Sequence, residues 1–145
     1  MSALLYLDTS ALVKLYVAEA GTDEVEKAAV VSEYRFAASV IAYPEARGVF
    51  ARYLRDAKLG QAEHDTVVAA FDSDWEGMNE VDVTPGIYRR AGDLLDAHAQ
   101  LRAMDAIHLA SALEVRAHAD VLFMTFDADL RLVAERLMPG CVRPV

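Results

Sequence analysis

One cysteine, Cys141, stands in 145 residues, so the chain forms no internal disulfide and offers no cysteine-based zinc site. Positive charge is scarce: 14 Lys and Arg against 23 Asp and Glu leave a formal net charge of −9. A field of that sign repels nucleic acid, so any nucleic-acid chemistry must rest on local features. The four histidines (His64, His98, His108, His118) form neither a triad signature nor a zinc-ligand pair, and there is no Gly-rich phosphate loop. Ser10 lacks the elbow motif of a nucleophilic serine. Repeats, low-complexity stretches and linkers rich in Pro, Gly or Ser are missing as well, which predicts a single domain over residues 1–145. In the opening MSALLYLDTS, Asp8 stops the apolar run early and no basic region precedes it. This predicts neither a leader nor a membrane span, and hence a cytoplasmic protein.

What the chain does have is apolar residues, 54% of the total, in a pattern that alternates short strands with helices. Ala3–Leu7, Arg35–Ser39, Met78–Val83 and Val121–Phe126 read as strands, and Cys141–Arg143 as a possible edge strand. The helices expected between them cover about Ser10–Glu19, ending at Gly21, and Thr22–Val31. A long helix follows Ser39 and runs to about Leu59, stopped by Gly60. The remaining ones are Gln61–Trp75, then Pro85 to about Gln100 with Thr84 as N-cap, Ala103–Ala117, and Asp127 to about Leu137. Alternating elements of this kind imply an α/β fold with a parallel sheet, whose ligands bind at the carboxyl ends of the strands.

Four acidic residues open helical segments: Asp8, Glu45, Asp105 and Asp127. Each has a plain structural reading. Asp8, Thr9 and Ser10 are all good N-caps, although three in a row are more than capping needs. Glu45 would compensate a helix dipole, and it borders the apolar stripe beside Gly48, Arg52 and Arg55. Pro44 before it implies that the helix either kinks there or begins there. Asp105 is the only formally charged residue in AMDAIHLASAL and shares a face with Leu101, His108, Leu109 and Ala112. A buried carboxylate there needs a partner. That partner is either His108 in a private pair, or a metal. Asp127 and Asp129 both suit the cap of the last helix, with Asp127 better placed at a strand end. Taken together, oxygen-only candidates without cysteine or paired histidine favour a hard cation, Mg²⁺ or Mn²⁺, over zinc. A cation would relieve the repulsion among the carboxylates and supply the chemistry of phosphodiester hydrolysis. For phosphate contacts, helical spacing nominates Arg52 and Arg55 beside Glu45, and Lys14 one turn beyond Ser10.

The stretches LYLDTSALVKLY (5–16), SVIAYPEARGVFAR (39–52), LRAMDAIHLASA (101–112) and FMTFDADL (123–130) resemble the PIN-domain ribonucleases, most closely the VapC toxins of type II toxin–antitoxin pairs. The resemblance implies a PIN-like three-layer α/β fold, with a central parallel sheet of four to five short strands flanked by helices. It further implies that Asp8, Glu45, Asp105 and Asp127, with Asp129 as a further candidate, bind one or two Mg²⁺ or Mn²⁺ ions. Ser10 or Thr9 would assist by hydrogen bonding a metal-bound water or a carboxylate. Endonucleolytic cleavage of RNA, inhibition of translation and growth, a toxin homodimer, and a cognate VapB-like antitoxin laid across the active-site groove are implied with it. Pro44, immediately before Glu45, departs from the usual helix of the family. Two other readings compete. A haloacid-dehalogenase-type phosphatase or receiver-like domain would use Asp8 as phospho-acceptor, but such phosphatases want a second Asp where Ser10 stands. A non-catalytic PIN scaffold would have no need of the full acidic set.

Overall fold

In the computed structural model, residues 3–145 are described; Met1 and Ser2, part of the N-terminal stretch read above for a leader, lie outside them. The strands are β1 (Leu4–Leu7), β2 (Phe36–Ser39), β3 (Asn79–Val81) and β4 (Val121–Met124). The helices are α1 (Thr9–Leu12), α2 (Thr22–Val31), α3 (Ala42–Arg55), α4 (Gln61–Trp75), α5 (Pro85–Ala97), α6 (Ala103–Arg116) and α7 (Ala128–Leu137). The four strands form one parallel sheet in the order β3-β2-β1-β4. The residues 141–143 add a single parallel bridge, Phe123 with Val142, rather than a fifth strand. Among the described residues no helix is long and apolar enough to cross a membrane.

β1 is buried on both faces, which is why it reads as an unbroken apolar run rather than an alternating one. Successive side chains still point to opposite sides. Tyr6 joins a core with Ala37, Phe123 and the inner faces of α5, α6 and α7, including Ile87, Leu109 and Leu130. Leu5 and Leu7 join a second core with Leu12, Val25, Ala46, Phe50 and Phe71 from α1, α2, α3 and α4. Helices thus cover both faces, and the strand order reverses direction at β1. The crevice outside the carboxyl ends of β1 and β4 is the topological switch point, where open α/β sheets bind ligands.

Two glycines punctuate the chain differently from the sequence reading. The first helix does not reach Glu19; α1 tightens into a 3₁₀ turn over Val13–Leu15 and ends by Tyr16. Gly21 instead precedes α2, at φ +96°. A Cβ on Gly21 would lie 2.5 Å from the Phe126 ring, so both the backbone and the packing demand glycine there. Likewise α3 closes before Gly60. Ala57 takes the left-handed conformation at φ 58°, with Lys58 N–H bonded to Tyr53 C=O and Ala57 N–H to Leu54 C=O. That is a Schellman closure on an alanine. Gly60 then begins α4, its N–H bonded to the Glu63 carboxylate.

Candidate active site

Asp8 follows β1 and is 4% exposed. Its Oδ1 accepts from Ala11 N–H at 3.0 Å, capping α1, and from the Ser10 hydroxyl at 2.7 Å. Its Oδ2 accepts a short bond from the Thr125 hydroxyl, at the end of β4. Ser10 Oγ also accepts Phe126 N–H at 3.0 Å, and Thr125 Oγ1 accepts Asp127 N–H at 3.0 Å. One buried carboxylate therefore ties the first strand end to the last. Burial pushes the Asp8 carboxyl above its ordinary range; the charge of His108 and the hydroxyl and amide donors pull the other way without cancelling it.

The redundancy of the Asp-Thr-Ser run is resolved by this arrangement. Asp8 alone does the capping, Ser10 braces Asp8, and Thr9 reaches across to α3, where its hydroxyl donates to Glu45 Oε1 at 2.7 Å.

Glu45 lies in the first turn of α3, which starts at Ala42 rather than just after Ser39. Pro44 is the third helical residue, where the N–H has no partner inside the helix to lose, so it neither kinks nor delays the helix. Glu45 N–H bonds normally to Ile41 C=O at 3.2 Å. The side chain does not turn to the arginines of its own helix. It takes His108 Nε2 at 2.9 Å on the same Oε1 that Thr9 holds. Burial raises the Glu45 carboxyl, but the hydrogen bonds from His108 and Thr9 outweigh it and leave it below its ordinary range.

Asp105 falls in the first turn of α6 and is half-buried, its Oδ2 accepting the Arg102 N–H at 3.1 Å. The private pair with His108 is not formed, because the two ring nitrogens of His108 are taken by Tyr6 and Glu45. Partial burial raises the Asp105 carboxyl, and the nearby charge of Asp127 raises it further. Asp127 is exposed and caps α7 through Oδ1 to Leu130 N–H at 2.9 Å; Asp129, also exposed, sits one residue into that helix. Of the two, Asp127 lies nearer the end of β4.

The basic candidates lie elsewhere. Arg52 and Arg55 are exposed near the end of α3 and form no ion pair with Glu45. Lys14 is engaged, bonded to Glu19 at 2.8 Å and seated over the Phe126 ring at 4.6 Å.

A hard divalent cation fits this donor set in chemistry. Asp105 Oδ1, Asp127 Oδ2 and Glu45 Oε2 carry no hydrogen bond from the described residues, and the like charges of Asp105 and Asp127 already oppose each other. Among the described residues, however, no three His, Cys, Asp or Glu side chains are gathered closely enough to hold one ion. Each carboxylate is aimed by its own local donor instead.

Three residues at the site escaped the sequence reading. Thr125 hides in an apolar run, and Tyr6 looks like one more strand aromatic. His108 was weighed only against Asp105, its neighbour one turn away. A polar residue buried in an apolar helix was the available signal, but its partners come from β1 and α3, distant in sequence.

A family model described as PIN domain matches residues 5–136. Ribonuclease VapC49 of Mycobacterium tuberculosis is 38% identical over 114 residues, 77% of this chain and 76% of that protein. Among solved structures, a toxin–antitoxin complex from Klebsiella pneumoniae aligns with a TM-score of 0.65 at 21% identity, over 97% of this chain and 95% of that one. The crystal structure of Mycobacterium tuberculosis VapC20, described as a sarcin–ricin loop cleaving toxin, aligns at 0.66 and 17% identity, over 97% and 99%. These two likenesses concern the fold: a parallel four-stranded sheet between two layers of helices.

Proposed function

Because the chain belongs to the PIN-domain family, we propose that it is a divalent-metal-dependent endoribonuclease and the toxin of a toxin–antitoxin pair. The observation that carries this reading is Asp8. A fully desolvated carboxylate at the switch point, raised by its burial yet held by three donors, is costly to the fold and is the arrangement expected of a functional site. The name ribonuclease on a relative at 38% identity supports the reaction class.

In this reading Asp8, Glu45, Asp105 and Asp127 hold Mg²⁺ or Mn²⁺, with Asp129 in reserve on the same helix start. Bound there, the cation would supply an activated water and offset the charge that develops on the phosphoryl oxygens. The rest falls to the chain. Ser10 and Thr125 fix the orientation of Asp8, and Thr9 that of Glu45. Arg52 and Arg55, exposed on α3 with no carboxylate paired to them, are free to meet phosphates and to offset locally the repulsion from a chain of net charge −9. Lys14 is already committed to Glu19 and Phe126, so the two arginines carry that role. RNA is the substrate, and its cleavage inhibits translation and growth. A homodimer in the cytoplasm, held in check by a VapB-like antitoxin across the groove, completes the proposal; a complex of that kind among the structural neighbours supports the partner.

Inducible expression in a bacterial host tests it. Wild type should arrest growth, and Asp8→Asn, which keeps the shape and most of the hydrogen bonds of the site, should not. Equal arrest by both would remove the carboxylate-metal mechanism.

A further inference from the structure

His108 and Tyr6 form a buried line to Glu45. The Tyr6 ring sits in the α6-side core, stacked on Phe123 at 5.5 Å, and is wholly buried. A phenylalanine would fill that volume with no oxygen to satisfy, so the hydroxyl is retained for its bonds. It accepts Ser39 N–H at 3.2 Å, at the end of β2, and lies 3.1 Å from His108 Nδ1. His108, 3% exposed, then contacts Glu45 Oε1 through Nε2 at 2.9 Å. An ionised carboxylate only accepts, so this contact requires the hydrogen on Nε2. On a neutral ring Nδ1 is then an acceptor that the Tyr6 hydroxyl meets as donor, and on a charged ring Nδ1–H donates to the Tyr6 oxygen; Nε2–H points at Glu45 in either form. The two ends of the line are fixed: Ser39 N–H donates to Tyr6, and His108 Nε2–H donates to Glu45.

Its effect is on one oxygen. His108 and Thr9 both donate to Oε1, while Oε2 carries no hydrogen bond from the described residues. We propose that His108, oriented by Tyr6, is a positioning residue that clamps Glu45 Oε1 and thereby presents Oε2 as the ligating oxygen. The inference rests on the metal reading of the site and deepens it. Such outer partners of ligating groups fix rotamer and orientation, and their loss weakens a metal site without touching the metal.

Mn²⁺ binding to the full chain, followed by titration calorimetry, tests the clamp without reference to cleavage, with thermal melting as the control for folding. His108→Leu keeps the volume and removes the donor, and should weaken Mn²⁺ binding about 10–100-fold. His108→Gln places an amide N–H near the position of Nε2 and should stay within roughly threefold of wild type, with Tyr6→Phe between the two. In a Glu45→Ala background His108→Leu should cost no more than about twofold further, because its route to the metal is already gone. Wild-type affinity in a folded His108→Leu would overturn the clamp while leaving the metal reading intact. So would an equal loss in the Glu45→Ala background, or a His108→Gln no better than His108→Leu, since either marks a merely structural residue. Should His108→Leu not fold, the pair His108→Gln and Tyr6→Phe decides alone: retention in the first with loss in the second supports the clamp, and any other order overturns it. A wild type that binds no Mn²⁺, while Asp8→Asn still abolishes cleavage, would overturn the metal reading and the clamp with it.

Discussion

The two halves of the site are built by different means. Asp8 and Glu45 are each held by side chains drawn from other elements: Ser10 and Thr125 for Asp8, Thr9 and His108 for Glu45. Asp105 and Asp127 are each held by one backbone N–H of their own helix, in the ordinary manner of helix starts. The inner pair is set by contacts that are distant in sequence. The outer pair is set by local geometry, sits at the rim, and keeps an unshared oxygen apiece. A cation entering such a site would meet two carboxylates held by side chains of other elements and two held by a single backbone donor each. Helix capping and metal ligation are thus not rival explanations for these residues, since a carboxylate can cap with one oxygen and ligate with the other.

Loss of the outer pair's charge should break this division most visibly. Asp127→Asn keeps a good cap, so stability should change by less than about 0.5 kcal/mol while RNA cleavage falls on the order of a hundredfold or more. Asp129→Asn should leave cleavage near wild type. The reverse outcome in a cleavage assay would transfer the role to Asp129. The same Asp127→Asn should lower the Asp105 titration midpoint, because a like charge that raises it is gone; carboxyl NMR would show the shift.

The inner pair differs in what ionisation does to the fold. The Asp8 carboxyl is raised in the folded chain, which therefore binds that proton more tightly than the unfolded chain does. Ionisation then costs stability as pH climbs from the ordinary value of 3.8 through the higher folded value, and the full cost is present above it. Asp8→Asn should accordingly melt higher than wild type near neutral pH, by a few degrees, with on the order of 2–4 °C expected per kcal/mol relieved. The gain should fade below about pH 4. Glu45 has the opposite sign. Its lowered carboxyl contributes stability above the ordinary value of 4.5 that is lost as pH falls through the folded value, so Glu45→Gln should melt lower at neutral pH. Melting curves of the two variants across pH that moved in the same direction would contradict the contrast.

Pro44→Ala should do the least. At the third helical position proline forgoes no intrahelical bond, so stability and cleavage should both stay close to wild type, within about 0.5 kcal/mol in melting experiments.

Much of this was legible in the chain itself. Apolar runs located β1, β2 and β4, and the acids after the first and last marked strand carboxyl ends, because fully buried parallel strands leave that pattern. Thr84-Pro85 marked the start of α5 correctly, with the Thr84 hydroxyl accepting Ile87 N–H at 3.3 Å. Local rules failed where distant packing decided. Gly21 reads as a helix stop, yet its conformation answers to Phe126, more than a hundred residues later. Asp105 read as a buried acid although the start of α6 at Ala103 was placed correctly, because the apolar string around it does not show that its carboxylate turns back to the Arg102 N–H at a half-open helix end. Helical spacing sets Glu45 beside Arg52 and Arg55, whereas its partner His108 comes from another helix. Spacing along one helix carries no information about the helix that packs beside it.

The central claim is that these carboxylates work through a divalent cation. Its most direct test is cleavage of single-stranded RNA by the purified chain, measured after exhaustive chelation and again on titration with Mg²⁺ and Mn²⁺. Cleavage should vanish with chelation and return in proportion to the added cation. Undiminished cleavage by the metal-stripped protein would contradict the account.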